Sequence, residues 1–191
     1  MLARERHVYT HAEYFALEEQ AEVRNEYWQG DLVAMTGGSL NHNRIAGNAY
    51  TALNNALAGE SCEAFIGDVR VWIEQKDIFT YPDVMVICGQ PELLEGRIDT
   101  ITNPKIIVEV LSESTVGYDR SDKFQAYWTL DSLAEYVLID QYRVRVEYFR
   151  RVSEKEWRLL VLTRPDEILT LESVGVEIPL DAIYRHVTWE Q

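Results

Sequence analysis

Residues 104–130 read PKIIVEVLSESTVGYDRSDKFQAYWTL. The apolar run Ile106, Ile107 and Val108 resumes at Val110 and Leu111, with the carboxylate of Glu109 set inside it. A short continuous apolar run of this kind is the pattern of a strand covered on both faces. An ionised Glu there costs free energy unless a cation, hydrogen bonds or a bound ligand compensate it. A polar turn over 112–117 follows, and the spacing then predicts a helix over 121–130. On that helix Phe124, Tyr127, Trp128 and Leu130 form an apolar arc, and Lys123 projects into it. One acid and one base are thereby placed on surfaces that should be dry.

Outward from this stretch, three more segments read as strands. Residues 80–88, TYPDVMVIC, carry Pro82, which belongs at a strand start or edge because proline cannot donate to a ladder. Residues 63–74 hold FIGDVRVWIE, expected as one strand, and residues 135–140, EYVLID, look buried. A helix is expected over 40–58, with Ser39 as N-cap, Ile45, Ala46, Ala49, Leu53 and Leu57 on one face, and Gly59 as its end. Before it lie a short amphipathic helix over 11–20 and a hairpin over 26–35 turning at Gln29, Gly30 and Asp31. Residues 89–102 read as a surface loop. Residues 143–151, RVRVEYFRR, alternate as a half-exposed strand. Short strands over 157–162, 168–171 and 174–178 suggest a meander, and Pro179 opens a last short helix. The order predicts one α/β domain over 1–191, a mixed sheet flanked by helices with an N-terminal hairpin and a C-terminal β-meander.

A chain of 191 residues, 47% hydrophobic and with eleven Tyr and five Trp, can bury a sizeable core. No apolar stretch approaches the ~20 residues that span a bilayer, and residues 1–15 lack a secretory apolar segment. Cys62 and Cys88 have no metal-like spacing, so reduced thiols and a cytoplasmic protein are expected. A net charge of −14 argues against a general polyanion binder. It leaves room for a local basic patch, because charges are screened over about 8 Å at physiological salt.

Asp83 is the second acid in an apolar strand. Neighbouring strands lie about 4.8 Å apart, so Asp83 and Glu109 can come close enough to need a shared proton or a cation. Oxygen-only ligation suits Mg²⁺ or Mn²⁺ better than zinc, and no HExxH or paired CxxC competes. With a lysine on the next helix, the parts match metal-assisted phosphodiester hydrolysis.

YPDVMVI (81–87), NPKIIVEVLSEST (103–115), YDRSDKFQAYWTLDSLAEYVLID (118–140) and SVGVEIPL (173–180) resemble the Uma-two family of restriction-endonuclease-like proteins, in the PD-(D/E)XK nuclease superfamily. The similarity runs from about residue 26 to the C-terminus. It implies a core of helix, three strands, helix and strand, which agrees with the elements read over 40–140. It also implies a metal held by Asp83, Glu109 and the backbone carbonyl of Val110. One departure stands out: Leu111 occupies the lysine position of the Glu-X-Lys motif. The resemblance assigns the amine to Lys123, whose long stem can reach a neighbouring strand.

Each assignment has a plainer counterpart. Asp83 and Glu109 could form a structural ion pair or strand-end cap, and Lys123 could snorkel along the core or pair with Asp119. Glu26 is a candidate additional catalytic carboxylate or a solvated turn acid. His42 is a substrate contact, an auxiliary base or a satisfied histidine near a helix start. Arg143 and Arg145, on one strand face with Arg151, are candidate phosphate contacts or a solvated edge. The reading is a Mg²⁺- or Mn²⁺-dependent DNA endonuclease, a homodimer if it cuts both strands, with no membrane association. The alternative is a weak or inactive nuclease-fold module that binds nucleic acid or protein, motivated by the missing motif lysine and the acidic surface.

Overall fold

In the computed structural model, residues 7–35, 37–112 and 119–189 are described. The polar turn expected over 112–117 therefore lies almost wholly outside the described residues. A central six-stranded sheet runs in the order β11-β10-β9-β8-β6-β3. Its strands are β3 (Cys62–Ile66), β6 (Val84–Cys88), β8 (Ile106–Leu111), β9 (Glu135–Asp140), β10 (Val146–Ser153) and β11 (Glu156–Leu162). All six residues of both β8 and β9 are buried, as continuous apolar runs require. β3, β6 and β8 pair antiparallel, and β8 pairs parallel with β9.

One face of this sheet packs on α2 (Leu40–Ala56) through Ile45, Ala46, Ala49 and Leu53. The same face meets the hairpin β12 (Ile168–Leu171) and β13 (Val176–Pro179), and α4 (Leu180–Ile183). Ser39 caps α2 as expected, its hydroxyl accepting from His42 N at 3.1 Å. The opposite face carries Met85, Ile87, Ile107, Leu111 and Leu138. Against them pack Tyr127 and Leu130, together with Val71, Ile73 and Ile78 of a second sheet.

The second sheet, ordered β2-β1-β5-β4-β7, comprises β1 (Asn25–Trp28), β2 (Asp31–Ala34), β4 (Arg70–Ile73), β5 (Ile78–Thr80) and β7 (Thr100–Ile101). α1 (His11–Glu18) closes its far side through Tyr14, against Tyr27 and Phe79. The N-terminal hairpin forms with Gln29 and Gly30 at positive φ, the two-residue turn that strand twist favours.

The two sheets correct several sequence expectations. Residues 63–74 are two strands, because the chain leaves the central sheet at Ile66, turns at Gly67 (φ +74°) and enters the other sheet at Arg70. Residues 80–88 are likewise divided: β5 ends at Thr80 and β6 opens at Val84, with Pro82 in the break. The two crossings lie side by side, Gly67 N donating to the Asp83 carbonyl at 3.2 Å. The loop over 89–102 contains β7, buried and parallel to β4. The C-terminal meander is also divided, since β11 joins the central sheet while β12 and β13 pair only with each other.

The expected helix over 121–130 is a π-helical turn, Asp119–Lys123, leading into the short α3, Phe124–Tyr127. Of its apolar arc Tyr127 and Leu130 are buried and Phe124 and Trp128 half-buried, with Phe124 stacked on Tyr136 at 5.4 Å. Cys62 and Cys88 also depart from expectation: they form a disulfide. They are direct partners in the β3·β6 register, a proximity that a separation of 26 residues does not reveal.

Candidate active site

At the seam between the sheets, three ionisable side chains meet out of water. Glu26 of β1, Glu109 of β8 and Lys123 at the end of the π turn are 4%, 4% and 6% exposed. The Lys123 Nζ lies 2.9 Å from Glu26 Oε1 and 3.3 Å from Glu109 Oε1. Each acid has further support. Glu26 accepts from Trp28 Nε1 at 3.3 Å and from Tyr81 N at 3.4 Å. Glu109 Oε1 also accepts from the Tyr127 hydroxyl at 3.0 Å. Counting formal charges, two carboxylates against one ammonium leave the cluster at −1.

Asp83 adjoins this cluster at the start of β6. Val84 pairs with Val108 at the end of the β6–β8 ladder, and one step further along the same register Asp83 would stand opposite Glu109. Pro82 cannot continue the ladder, and the Val110 N–H is accepted instead by Asp83 Oδ2 at 2.7 Å. Backbone bond lengths then put that oxygen within about 5.5 Å of the Glu109 Cα. His42 Nε2, from the first turn of α2, is 3.4 Å from the same Asp83 oxygen. Asp83 and His42 are about one-fifth exposed, which makes them the wet rim of an otherwise dry site.

Sequence reasoning expected Asp83, Glu109, Lys123 and Glu26 to converge. Lys123, Glu26 and Glu109 are in direct contact, and Asp83 abuts Glu109 through the Val110 amide. Leu111, two residues after Glu109 on the same strand face, is buried in the core. The amine therefore reaches Glu109 from the helix and not from the strand. Arg143 and Arg145 do not share a strand face with Arg151, because β10 starts only at Val146. Arg143 pairs with Asp140 at 3.0 Å and Arg145 with Glu147 at 2.9 Å. Arg151 donates to the carbonyls of Trp128 and Leu130.

Two residues escaped the sequence reading, Tyr127 and Thr80. Tyr127 stands one helical turn after Lys123, a spacing that aims both side chains the same way. Burial, with the charges of Glu109 and Glu26, holds its phenol well above the ordinary tyrosine range. It therefore stays a proton donor. Thr80 Oγ1 is 2.5 Å from the Tyr127 oxygen.

A divalent ion fits the donors available here. Among the described residues no three His, Cys, Asp or Glu side chains cluster as ligands. Two adjacent carboxylates and a backbone carbonyl match the sparse oxygen ligation of Mg²⁺, which keeps waters and substrate phosphate in its remaining positions.

Known proteins are similar to this chain. The model of the Uma2 family, described as "Putative restriction endonuclease", matches residues 11–181. Two proteins of Synechocystis sp. are similar along most of their length. Uncharacterized protein sll1609 is 40% identical over 155 residues, 81% of this chain and 88% of that one. Uncharacterized protein slr1290 is 35% identical over 173 residues, 91% and 90% of the two chains. The crystal structure of a "putative nuclease belonging to DUF820" from Anabaena variabilis superposes with a TM-score of 0.76 at 17% identity. That match covers 93% of this chain and 98% of the other, and it shows a shared fold. The helix α2, strands β3, β6 and β8, helix α3 and strand β9 reproduce the restriction-endonuclease-like core read from the sequence. With its family model spanning 171 of 191 residues (181 − 11 + 1), the chain belongs to the Uma2 family.

Proposed function

We propose that the protein is a Mg²⁺- or Mn²⁺-dependent phosphodiesterase, a DNA endonuclease of the PD-(D/E)XK type. The observation that carries this reading is the buried contact of Lys123 with Glu26 and Glu109, beside Asp83 at the rim. A purely structural site would more simply be apolar, since an ion pair this dry gains little over a well-packed core.

Asp83, Glu109 and the Val110 carbonyl would hold the ion, which would supply a polarised phosphate and a water of lowered pKa. Lys123 orients the attacking water and stabilises charge developing on the phosphate. Glu26 holds the lysine amine in line, and Trp28 and Tyr81 N fix Glu26 in turn. His42, against Asp83 at the wet rim, faces the substrate. Arg143, 66% exposed, remains available to a phosphate. Two such sites related by a two-fold axis would serve the two strands of a duplex. A homodimer is accordingly expected, and a 22 kDa species alone in light scattering would count against it.

The test is plasmid nicking with Mg²⁺ or Mn²⁺, wild type against Lys123→Ala, together with calorimetric Mn²⁺ titration of wild type, Asp83→Ala and Glu109→Ala. Cleavage is expected only with the ion and the lysine, and ion binding only with both acids. Unchanged titrations in the two acid variants would remove the metal site, and equal nicking would remove Lys123 from the mechanism.

A further inference from the structure

We propose that Tyr127, itself fixed by Thr80, is a positioning residue that locks the Glu109 carboxylate to the strand end carrying Asp83. This rests on the metal-site reading and adds a part that the reading does not contain. Tyr127 is fully buried, and its hydroxyl lies 3.0 Å from Glu109 Oε1 and 2.5 Å from Thr80 Oγ1. A phenol has one proton to donate. The carboxylate oxygen can only accept it, so the Thr80 hydroxyl donates to the Tyr127 oxygen. The direction of the chain is thereby fixed: Thr80 to Tyr127 to Glu109.

The segment 80–83 makes this chain more than local support. Thr80 reaches Tyr127, the Tyr81 amide reaches Glu26, Pro82 stiffens the bend, and Asp83 accepts from the Val110 amide. Thr80, Tyr81 and Asp83 thus each hydrogen-bond a group of the site, with Pro82 between them. Glu109 belongs to the central sheet, whereas Thr80 belongs to the other one. Tyr127 is the hydrogen-bonded link between them. Without its hydroxyl, Glu109 keeps the Lys123 contact but loses its side-chain link to Thr80 at the start of segment 80–83. Ligand-orienting partners of this kind typically change metal affinity or activity by about 10–100-fold.

The experiment uses the full chain and Mn²⁺ as the probe. Tyr127→Phe keeps the ring packed between helix and sheet and removes only the hydroxyl. It is expected to weaken Mn²⁺ binding in calorimetry by about tenfold. The nicking rate at saturating Mn²⁺ should fall while KM for plasmid stays near wild type. Thr80→Val, which also removes a hydroxyl at constant shape, is expected to act in the same direction and more weakly, and Thr80→Ser to restore wild-type affinity. Thermal unfolding of each variant checks that the fold persists, and Thr80→Val carries the test if Tyr127→Phe does not fold. A Tyr127→Phe protein that binds Mn²⁺ within twofold of wild type overturns the positioning role and leaves the metal site intact. Wild-type protein that binds no Mn²⁺ overturns the metal reading itself, and this role with it.

Discussion

Glu109 of β8 and Glu135 of β9 lie on adjacent parallel strands, both buried, and both accept a hydrogen bond from a tyrosine. They sit at opposite ends of the strand pair: Glu135 is level with Ile106, whereas Glu109 is level with Leu138. Among the described residues, Glu135 is satisfied by neutral donors alone. Tyr148 OH lies at 2.6 Å, and Ser173 contributes N at 3.0 Å and Oγ at 2.9 Å. It is a staple that pins the β12–β13 hairpin to the central sheet. Glu109 shares a lysine with a second carboxylate and adjoins a third at the seam between two sheets. The difference teaches that burial alone does not mark a functional acid. What separates the two is a lysine shared with a second carboxylate at a place where the sheet ladder is broken.

Changes at these two acids should therefore break differently, and the largest effect is expected at Lys123. Lys123→Met keeps the stem and removes the charge, taking the ammonium contact away from both buried carboxylates. Stability should fall by about 3–5 kcal/mol, roughly 6–20 °C in melting temperature. Mn²⁺ should recover part of that loss, and a variant as stable as wild type without metal would mean that Glu26 and Glu109 need no counter-charge.

Glu135→Ala comes next. It strands the Tyr148 hydroxyl and the Ser173 amide, and is expected to cost about 2–4 kcal/mol in chemical denaturation. Nicking per folded molecule should equal that of wild type. A loss of cleavage without a loss of stability would erase the contrast with Glu109.

The smallest effect is expected at Asp99, a carboxylate paired nearer the surface with Arg70 and Arg97. Burial alone would raise its pKa, but the Arg97 hydrogen bond and the Arg70 charge bring it down to about 2. The folded value is below the ordinary 3.8. Its stabilisation is thus fully present above about pH 4 and lost as the pH falls from there to about 2. Since Asp99 is more than a third exposed, solvent screening keeps the term under about 1 kcal/mol. In Asp99→Asn the acid limb of stability against pH should be shallower over that window, and above it the curve should run lower but parallel to wild type.

Much of this was legible in the chain. Apolar runs identified β6, β8 and β9, because continuous hydrophobicity has one economical burial. The Ser39 cap, the Gln29–Gly30 turn and the buried Lys123 followed from local chemistry. Glu135 was as visible in its strand as Glu109, yet periodicity gives no reason to rank one above the other. The splitting of 63–74 and 80–88 was hidden for another reason. A strand that leaves one sheet and enters a second keeps its apolar pattern through both, and only Gly67 and Pro82 punctuate the change.

By itself, then, the sequence determined where the main apolar runs and the long helix lie, which faces are apolar, and that an acid and a lysine at residues 109 and 123 are buried. These depend on neighbours within a few residues, where sterics and hydrophobic period act directly. Tertiary structure alone decided the contact of Lys123 with Glu26, the tie from Thr80 through Tyr127 to Glu109, the pairing of Cys62 with Cys88 and the pinning of the hairpin by Glu135. Each joins residues distant in the chain, and their approach is set by strand register and sheet packing, which no local pattern encodes.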